Sequence, residues 1–255
     1  MSAMAVRNGR KGRSVPEHSG YAFFSLNDAS AGDVLTRRGY CHLPAQAWVV
    51  AGDGTDSFDE FSRCWEDLPP DPYMRGTPAT RYRRHSVFVY SKTTHELRVL
   101  PEEPYWQERD HNPLFGGSYR YFSPIRNAES TWSCIHTFVH ECVNLIISLP
   151  ELVKVNAHLV RVMAFDKVPG DPSPEGLHRD GFRYISIHLI KRKNVVGGKT
   201  TICSADRDST NELTLLQPMD SVVIDDQRLL HQTGPIVAAK TGVVASRDVL
   251  LLSYT

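Results

Sequence analysis

PEGLHRDGFRYISIHLIKR, residues 174–192, sets a Pro/Gly-rich turn, a His-x-Asp pair and a β-type run side by side. Residues i and i+2 of a strand point to the same face. His178 and Asp180, at the mouth of this strand, therefore place an imidazole and a carboxylate together. Alone the pair says little, because His and Asp fall two apart by chance in many chains. Its weight comes from the strands around it and from two residues downstream.

From Pro150 to Thr255 the texture is that of short strands, AHLVRVMAF, FRYISIHLIKR, KTTICS, ELTLLQP, SVVIDD, LLHQTGPIV and DVLLLSYT, with Gly, Pro and Asp between them. Short strands at this spacing read as an all-β sandwich or barrel. The lack of helical patterns between them argues against a parallel βαβ sheet. Upstream, DSFDEFSRCWEDL carries Phe58, Phe61, Cys64, Trp65 and Leu68 at helical spacing and stops at Pro69-Pro70. The clearest helix runs from about Glu129 to Leu149, with Trp132, Ile135, Phe138, Val139, Cys142, Leu145, Ile146 and Leu149 on one stripe. HSVFVYS and ELRVLP read as strands. The reading is a mainly β protein with flanking helices: one domain over 19–255, with a helical and mixed annex over about 19–150 and a β core completed by 151–255.

Composition narrows the classes. The chain has 255 residues and is 41% hydrophobic, enough for a sizeable core. Lys plus Arg equals Asp plus Glu at 29 each, so no whole-chain field favours nucleic acid or an anionic membrane. The five cysteines are scattered without a C-x-x-C, which suits reduced thiols in the cytoplasm. Residues 1–18 form a basic tail without the apolar stretch of a secretory signal, and no window reaches the ~18 apolar residues of a membrane span. The expected partner is a small molecule, and nothing in the sequence fixes an oligomeric state.

The third candidate ligand is His231, in RLLHQTGPI, on the second-to-last strand. Two histidines and one carboxylate on neighbouring strands match the facial triad of non-haem Fe(II) oxygenases, with three coordination positions open. Zinc would call for an all-sulfur or three-histidine set, for which the local cysteines are wrongly spaced. Arg247 follows on the final strand, SRDVLLLSY. A buried guanidinium beside a metal needs an anion, and its fork suits the far carboxylate of a diacid such as 2-oxoglutarate.

RYRRHSVFVY (81–90), LRVLPEEPYWQERDHNPLFGGSYRYFSPI (97–125), LHRDGFRYI (177–185), GGKTTI (197–202) and LLHQTGPI (229–236) resemble, in the same order, blocks of the bacterial free-amino-acid hydroxylases. These are 2-oxoglutarate/Fe(II)-dependent dioxygenases typified by L-isoleucine 4-hydroxylase. The resemblance spans roughly residues 75–255 and is loose over the first seventy. It departs at Arg179, where many relatives carry glutamine; that side chain is expected to point off the metal face. The resemblance implies a double-stranded β-helix (jelly-roll, cupin-like), with His178, Asp180 and His231 holding Fe(II) and Arg247 anchoring 2-oxoglutarate. It further implies O2 as oxidant, ascorbate as reductant, and hydroxylation of an unactivated C–H of a free L-amino acid with release of succinate and CO2. Cyclisation, desaturation and carrier-bound substrates in natural-product biosynthesis are the alternatives.

Thr200 and Thr201 alternate faces, and Thr201 is assigned to the cofactor carboxylate. An amino-acid zwitterion needs a cation and an acceptor; the candidates are Arg120, Arg161 and Glu175. His136 and His140 are four apart on a helix as in zinc helices, but no third ligand accompanies them. His188 reads as a packed strand residue, and Asp225 and Asp226 as turn residues closing a strand.

Overall fold

A computed structural model describes residues 24–255 apart from 51–53, 75, 77, 127 and 128; the basic tail expected over 1–18 lies outside the described residues. The strands in chain order are β1 (Phe24–Leu26), β2 (Tyr40–Leu43), β3 (Trp48–Val50), β4 (Arg81–Ser91), β5 (Leu97–Val99), β6 (Leu152–Ala164) and β7 (Tyr184–Lys193). They continue with β8 (Val195–Gly197), β9 (Thr200–Ser204), β10 (Thr210–Leu213), β11 (Ser221–Asp225), β12 (Leu229–Thr233), β13 (Ile236–Ala238) and β14 (Ala245–Tyr254). The α-helices are α1 (Ala31–Arg38), α2 (Gly54–Arg63) and α3 (Glu129–Leu145). α1 ends at Gly39, whose left-handed φ of 77° lets its N–H cap Leu35 O.

Seven strands make one antiparallel sheet in the order β2-β11-β7-β14-β6-β4-β5. A smaller sheet, β10-β9-β12, and the β8–β13 pair complete the jelly roll. The large sheet thus draws β2, β4 and β5 from the segment expected to be an annex. β4 pairs with β6 from Arg81↔Val162 to Ser91↔Leu152, so residue 150 marks no boundary of the sheet. The helix expected to reach Leu149 ends at Leu145, with Ile146 and Leu149 buried in the turns that follow.

Register divides the large sheet into two faces. Val162 pairs with Arg81 and Arg247, Val160 with Arg83 and Val249, and His158 with His85 and Leu251; Leu251 continues to Ile187, and Ile187 to Val222. Because side chains alternate, this row lines the interior of the roll. There Val160, Val162, Val249, Ile185, Ile187 and Ile224 pack with Ile202 and Ile236 of the small sheet. The out-of-phase row, including Ala157, Leu159, Leu250, Leu252 and Phe88, packs on Phe138, Val139 and Val143 of α3 and on Trp65. Each such fully buried large apolar side chain contributes about 1.5–3 kcal/mol. Trp65 also donates its indole N–H to Val160 O at 3.1 Å and Val249 O at 3.2 Å, beside the register shift at Asp248/Val249. The apolar stripe of α3 is thus what frees the other face of the sheet to carry polar groups.

Candidate metal centre

His178 and His231 face each other across an isolated antiparallel bridge. His178 N–H donates to His231 O at 3.1 Å, and His231 N–H to His178 O at 2.9 Å. The pairing sets the ring centroids 4.4 Å apart. Nδ1–H of His178 donates to Gly176 O at 2.8 Å, which leaves Nε2 free for the cavity. Asp180 sits between the two rings: Oδ1 is 3.6 Å from His178 Nε2 and Oδ2 is 3.8 Å from His231 Nε2. One ligand atom from each residue lies within 4.8 Å of the others. Two neutral imidazoles and a carboxylate on one side of an ion leave its other side open, the donor set of a non-haem Fe(II) site.

The supports of this trio come from loops. Asp226 accepts backbone N–H bonds from Asp180 at 3.0 Å, Gly181 at 2.7 Å and Phe182 at 2.9 Å, so one carboxylate holds the whole turn. Gly181 has φ 87°, and a Cβ there would stand 2.6 Å from His111 Nδ1; only glycine fits comfortably. Gln107 donates from Nε2 to Asp180 Oδ1 at 2.9 Å and to its backbone O at 3.0 Å. Asn112 in turn donates to Gln107 Oε1 at 3.1 Å, as does Arg120.

Burial disfavours charge on His178, yet the neighbouring carboxylates of Asp180 and Glu175 lift it to about 9. Against its own burial, Asp180 is pulled below the usual carboxylate range by His178. Burial and the adjacent His178 push His231 down to about 3. A divalent ion would replace the shared proton, since it takes imidazoles unprotonated.

Arg247 lines the same cavity. It is 2% exposed, and its Nε and Nη2 have no partner among the described residues; burial and the nearby Arg192 lower it to about 10. An unpaired buried cation of this kind calls for an anionic ligand. Thr201 is half-buried and does not line the cavity. Its neighbour Thr200 is fully buried and bonds Thr233 Oγ1 at 3.1 Å, and Thr233 lines the cavity. Strand parity therefore favours the other threonine of the pair.

Arg161 is also off the site. It lies out of phase with Val160 and Val162 and grips Asp248 with bonds of 2.7 and 2.8 Å. That partner accounts for the charge in an apolar strand: Asp248 is fully buried on the same face. Arg120 and Glu175 do line the cavity. Among the described residues, Arg120 Nε is buried without a partner; Glu175 Oε1 is 3.2 Å from His178 Nε2, while its Oε2 has none. His136 bonds His95 O at 2.7 Å and His140 bonds Tyr90 at 2.6 Å, so the helical pair has local partners. His188 is held between the Ser186 and Ser221 hydroxyls, each at 2.8 Å, as a packed strand residue. Gln107, Asn112, Asp226, Arg83 and His158 went unread as site residues. Alternation in RYRRH and in AHLVRV could have flagged the last two.

A 2-His-1-carboxylate set with a buried, partnerless arginine beside it, inside a jelly roll, defines a non-haem iron dioxygenase that takes 2-oxoglutarate. Residues 62–253 match the family described as 2OG-Fe dioxygenase, and the chain belongs to it. It is 26% identical over 234 residues to a 3(1)-hydroxy-L-isoleucine 4-dioxygenase of Pantoea ananatis, covering 86% of this chain and 93% of that protein. It is likewise 26% identical over 182 residues to an L-isoleucine-4-hydroxylase of Bacillus thuringiensis, covering 69% and 75%. Among solved structures, a bsmA homologue from Methylobium petroleophilum PM1 superposes with a TM-score of 0.76 at 29% identity, over 90% of this chain and 93% of that one. The resemblance read from the sequence blocks is thereby borne out. Among the described residues, no helix is long and apolar enough to cross a membrane.

Proposed function

We propose that this protein oxidises a free L-amino acid, hydroxylating an unactivated C–H with release of succinate and CO2. In this reading His178, Asp180 and His231 hold the Fe(II), and Arg247 grips the far carboxylate of 2-oxoglutarate. The observation that carries it is the pairing, in one cavity, of a compact His/Asp/His cluster with a guanidinium whose Nε and Nη2 have no partner among the described residues. The curated relatives act on isoleucine or hydroxyisoleucine by name, which favours a small zwitterionic substrate here. Arg120 Nε and Glu175 Oε2, each without a partner among the described residues, offer such a zwitterion a donor and an acceptor in the cavity.

Dioxygen would be the oxidant, with the iron and the keto acid that is oxidised to succinate and CO2 supplying its activation when bound; the chain supplies placement. Gln107 and Asp226 hold Asp180 in one orientation, and the bridge between His178 and His231 fixes the spacing of the imidazoles. The apolar wall of Val160, Val249 and Ile187 keeps water from the reacting C–H. The test is aerobic incubation with Fe(II), ascorbate and 2-oxoglutarate against single amino acids, reading succinate and product mass. At least one amino acid should raise succinate well above the uncoupled background, and His178→Ala or Asp180→Ala should abolish the rise. A product heavier by one oxygen supports hydroxylation, whereas loss of two hydrogens makes the reaction a cyclisation or desaturation. No response to any common amino acid defeats the free-substrate reading.

A further inference from the structure

Two strands from Arg247, on the same interior face of the large sheet, the cavity carries a second polar group of residues. Arg83 and His158 are diagonal neighbours on the interior face of β4 and β6. Arg83 donates from Nε at 3.1 Å and from Nη2 at 2.9 Å to Nδ1 of His158. A guanidinium only donates, so this Nδ1 must be the unprotonated nitrogen and the ring proton must sit on Nε2. That Nε2–H belongs to a side chain 2% exposed, lines the cavity, and finds no acceptor among the described residues. His85 stacks on the imidazole at 4.3 Å and Tyr105 meets it edge-on at 4.6 Å, so the ring cannot turn to seek one. Tyr105 also carries the Arg120 guanidinium at 4.8 Å from its centroid, and Arg120 Nε is the other orphaned donor on this wall. Two buried N–H groups without acceptors around one aromatic ring destabilise the fold unless a ligand supplies the acceptor.

We infer that Arg83 sets the tautomer of His158, and that His158 Nε2–H and Arg120 Nε–H together receive the α-carboxylate of the substrate. The inference rests on the free-amino-acid reading and adds to it where the carboxylate lies and which residue positions its receiver. His158 touches the substrate, whereas Arg83 acts through it. Val160, Val249 and Leu251 line the same cavity and offer apolar contact to the rest of the substrate.

The shared chemistry is a carboxylate, which either the amino acid or 2-oxoglutarate could bring, and binding separates the two. Protein loaded with Mn(II) and 2-oxoglutarate is titrated calorimetrically with the common L-amino acids, and the tightest is compared with its carboxamide. His158→Leu should weaken the acid by roughly tenfold or more while barely changing the carboxamide, so the preference for acid over amide collapses. Arg83→Met should do the same in part. His158→Gln keeps an acceptor for Arg83 and a donor for the cavity, and should restore most of the preference. Affinity for 2-oxoglutarate should stay within about twofold throughout. An unchanged acid-to-amide ratio in a folded His158→Leu protein overturns this assignment alone. A selective loss of 2-oxoglutarate affinity gives the subsite to the co-substrate and overturns it too. Failure of every amino acid to bind the wild type removes the parent reading, and this one with it.

Discussion

Replacing Asp226 by Asn changes one charge and almost no volume, yet it should disable the turn that carries Asp180. The native carboxylate accepts the Asp180 N–H on Oδ1 and the Gly181 and Phe182 N–H groups on Oδ2. In the variant the remaining oxygen does best where two donors converge, which points its NH2 at the Asp180 N–H. One buried amide is left facing a donor, at about 1–3 kcal/mol, and two charge-assisted bonds become neutral ones at about 1 kcal/mol each. The total is about 3–5 kcal/mol of stability. A group that orients a metal ligand typically controls metal affinity by 10–100-fold, so Mn(II) should bind more weakly by that factor. Urea unfolding and anaerobic Mn(II) calorimetry measure the two effects. Asp225→Asn is the control: its carboxylate takes the longer N–H bonds from Gln227 at 3.1 Å and Arg228 at 3.2 Å and lies 3.8 Å from Arg228 Nη1, and it should leave Mn(II) affinity unchanged. The reasoning is wrong if Asp226→Asn keeps native metal affinity, whatever happens to its stability.

Three other outcomes are expected. Arg247→Leu should raise the Kd of 2-oxoglutarate about 100-fold yet stabilise the ligand-free protein by about 1–3 kcal/mol, because it removes an uncompensated buried charge; melting temperatures with and without 2-oxoglutarate should therefore move in opposite directions relative to wild type. Arg161→Met should cost about 3 kcal/mol in urea by stranding the buried Asp248, with KM for amino acid and 2-oxoglutarate unchanged; a raised KM would return Arg161 to the site. Burial holds His188 down to about 3, so it stays neutral in the fold while the unfolded chain takes its proton below about 6.5. Its contribution is therefore flat above 6.5, falls by about 1.4 kcal/mol per pH unit between 6.5 and 3, and levels off below. His188→Gln should flatten the urea stability profile by that slope between pH 6 and 4.

The trio of ligands was legible because His178, Asp180, His231 and Arg247 fall in order around predicted strands, although His178 makes only an isolated bridge and Asp180 lies in the turn before β7. The two-residue period of a strand, applied with register, would have excluded Arg161 and exchanged Thr201 for Thr200; register is a property of paired strands and cannot be taken from one strand alone. The α3 stripe was legible from Trp132 to Leu145, since helical spacing is local, and Ile146 and Leu149 are buried in the turns beyond it. Gln107 and Asp226 were not legible, because each acts from a loop on a residue 73 or 46 positions away, a separation that only the folded chain closes. The place of β4 in the large sheet was hidden for a related reason. β4 lies before α3 in the chain but beside β6 in the sheet.

The bridge between His178 and His231 makes the two imidazoles partners in a ladder before they can be partners in coordination. Sliding that pairing by a single position would bring up Leu230 or Gln232 instead, with no intermediate arrangement to fall back on. Loading of the ion should thus report on strand alignment in an all-or-none way, so damage to the small sheet should shrink the fraction of competent molecules rather than loosen the affinity of each one.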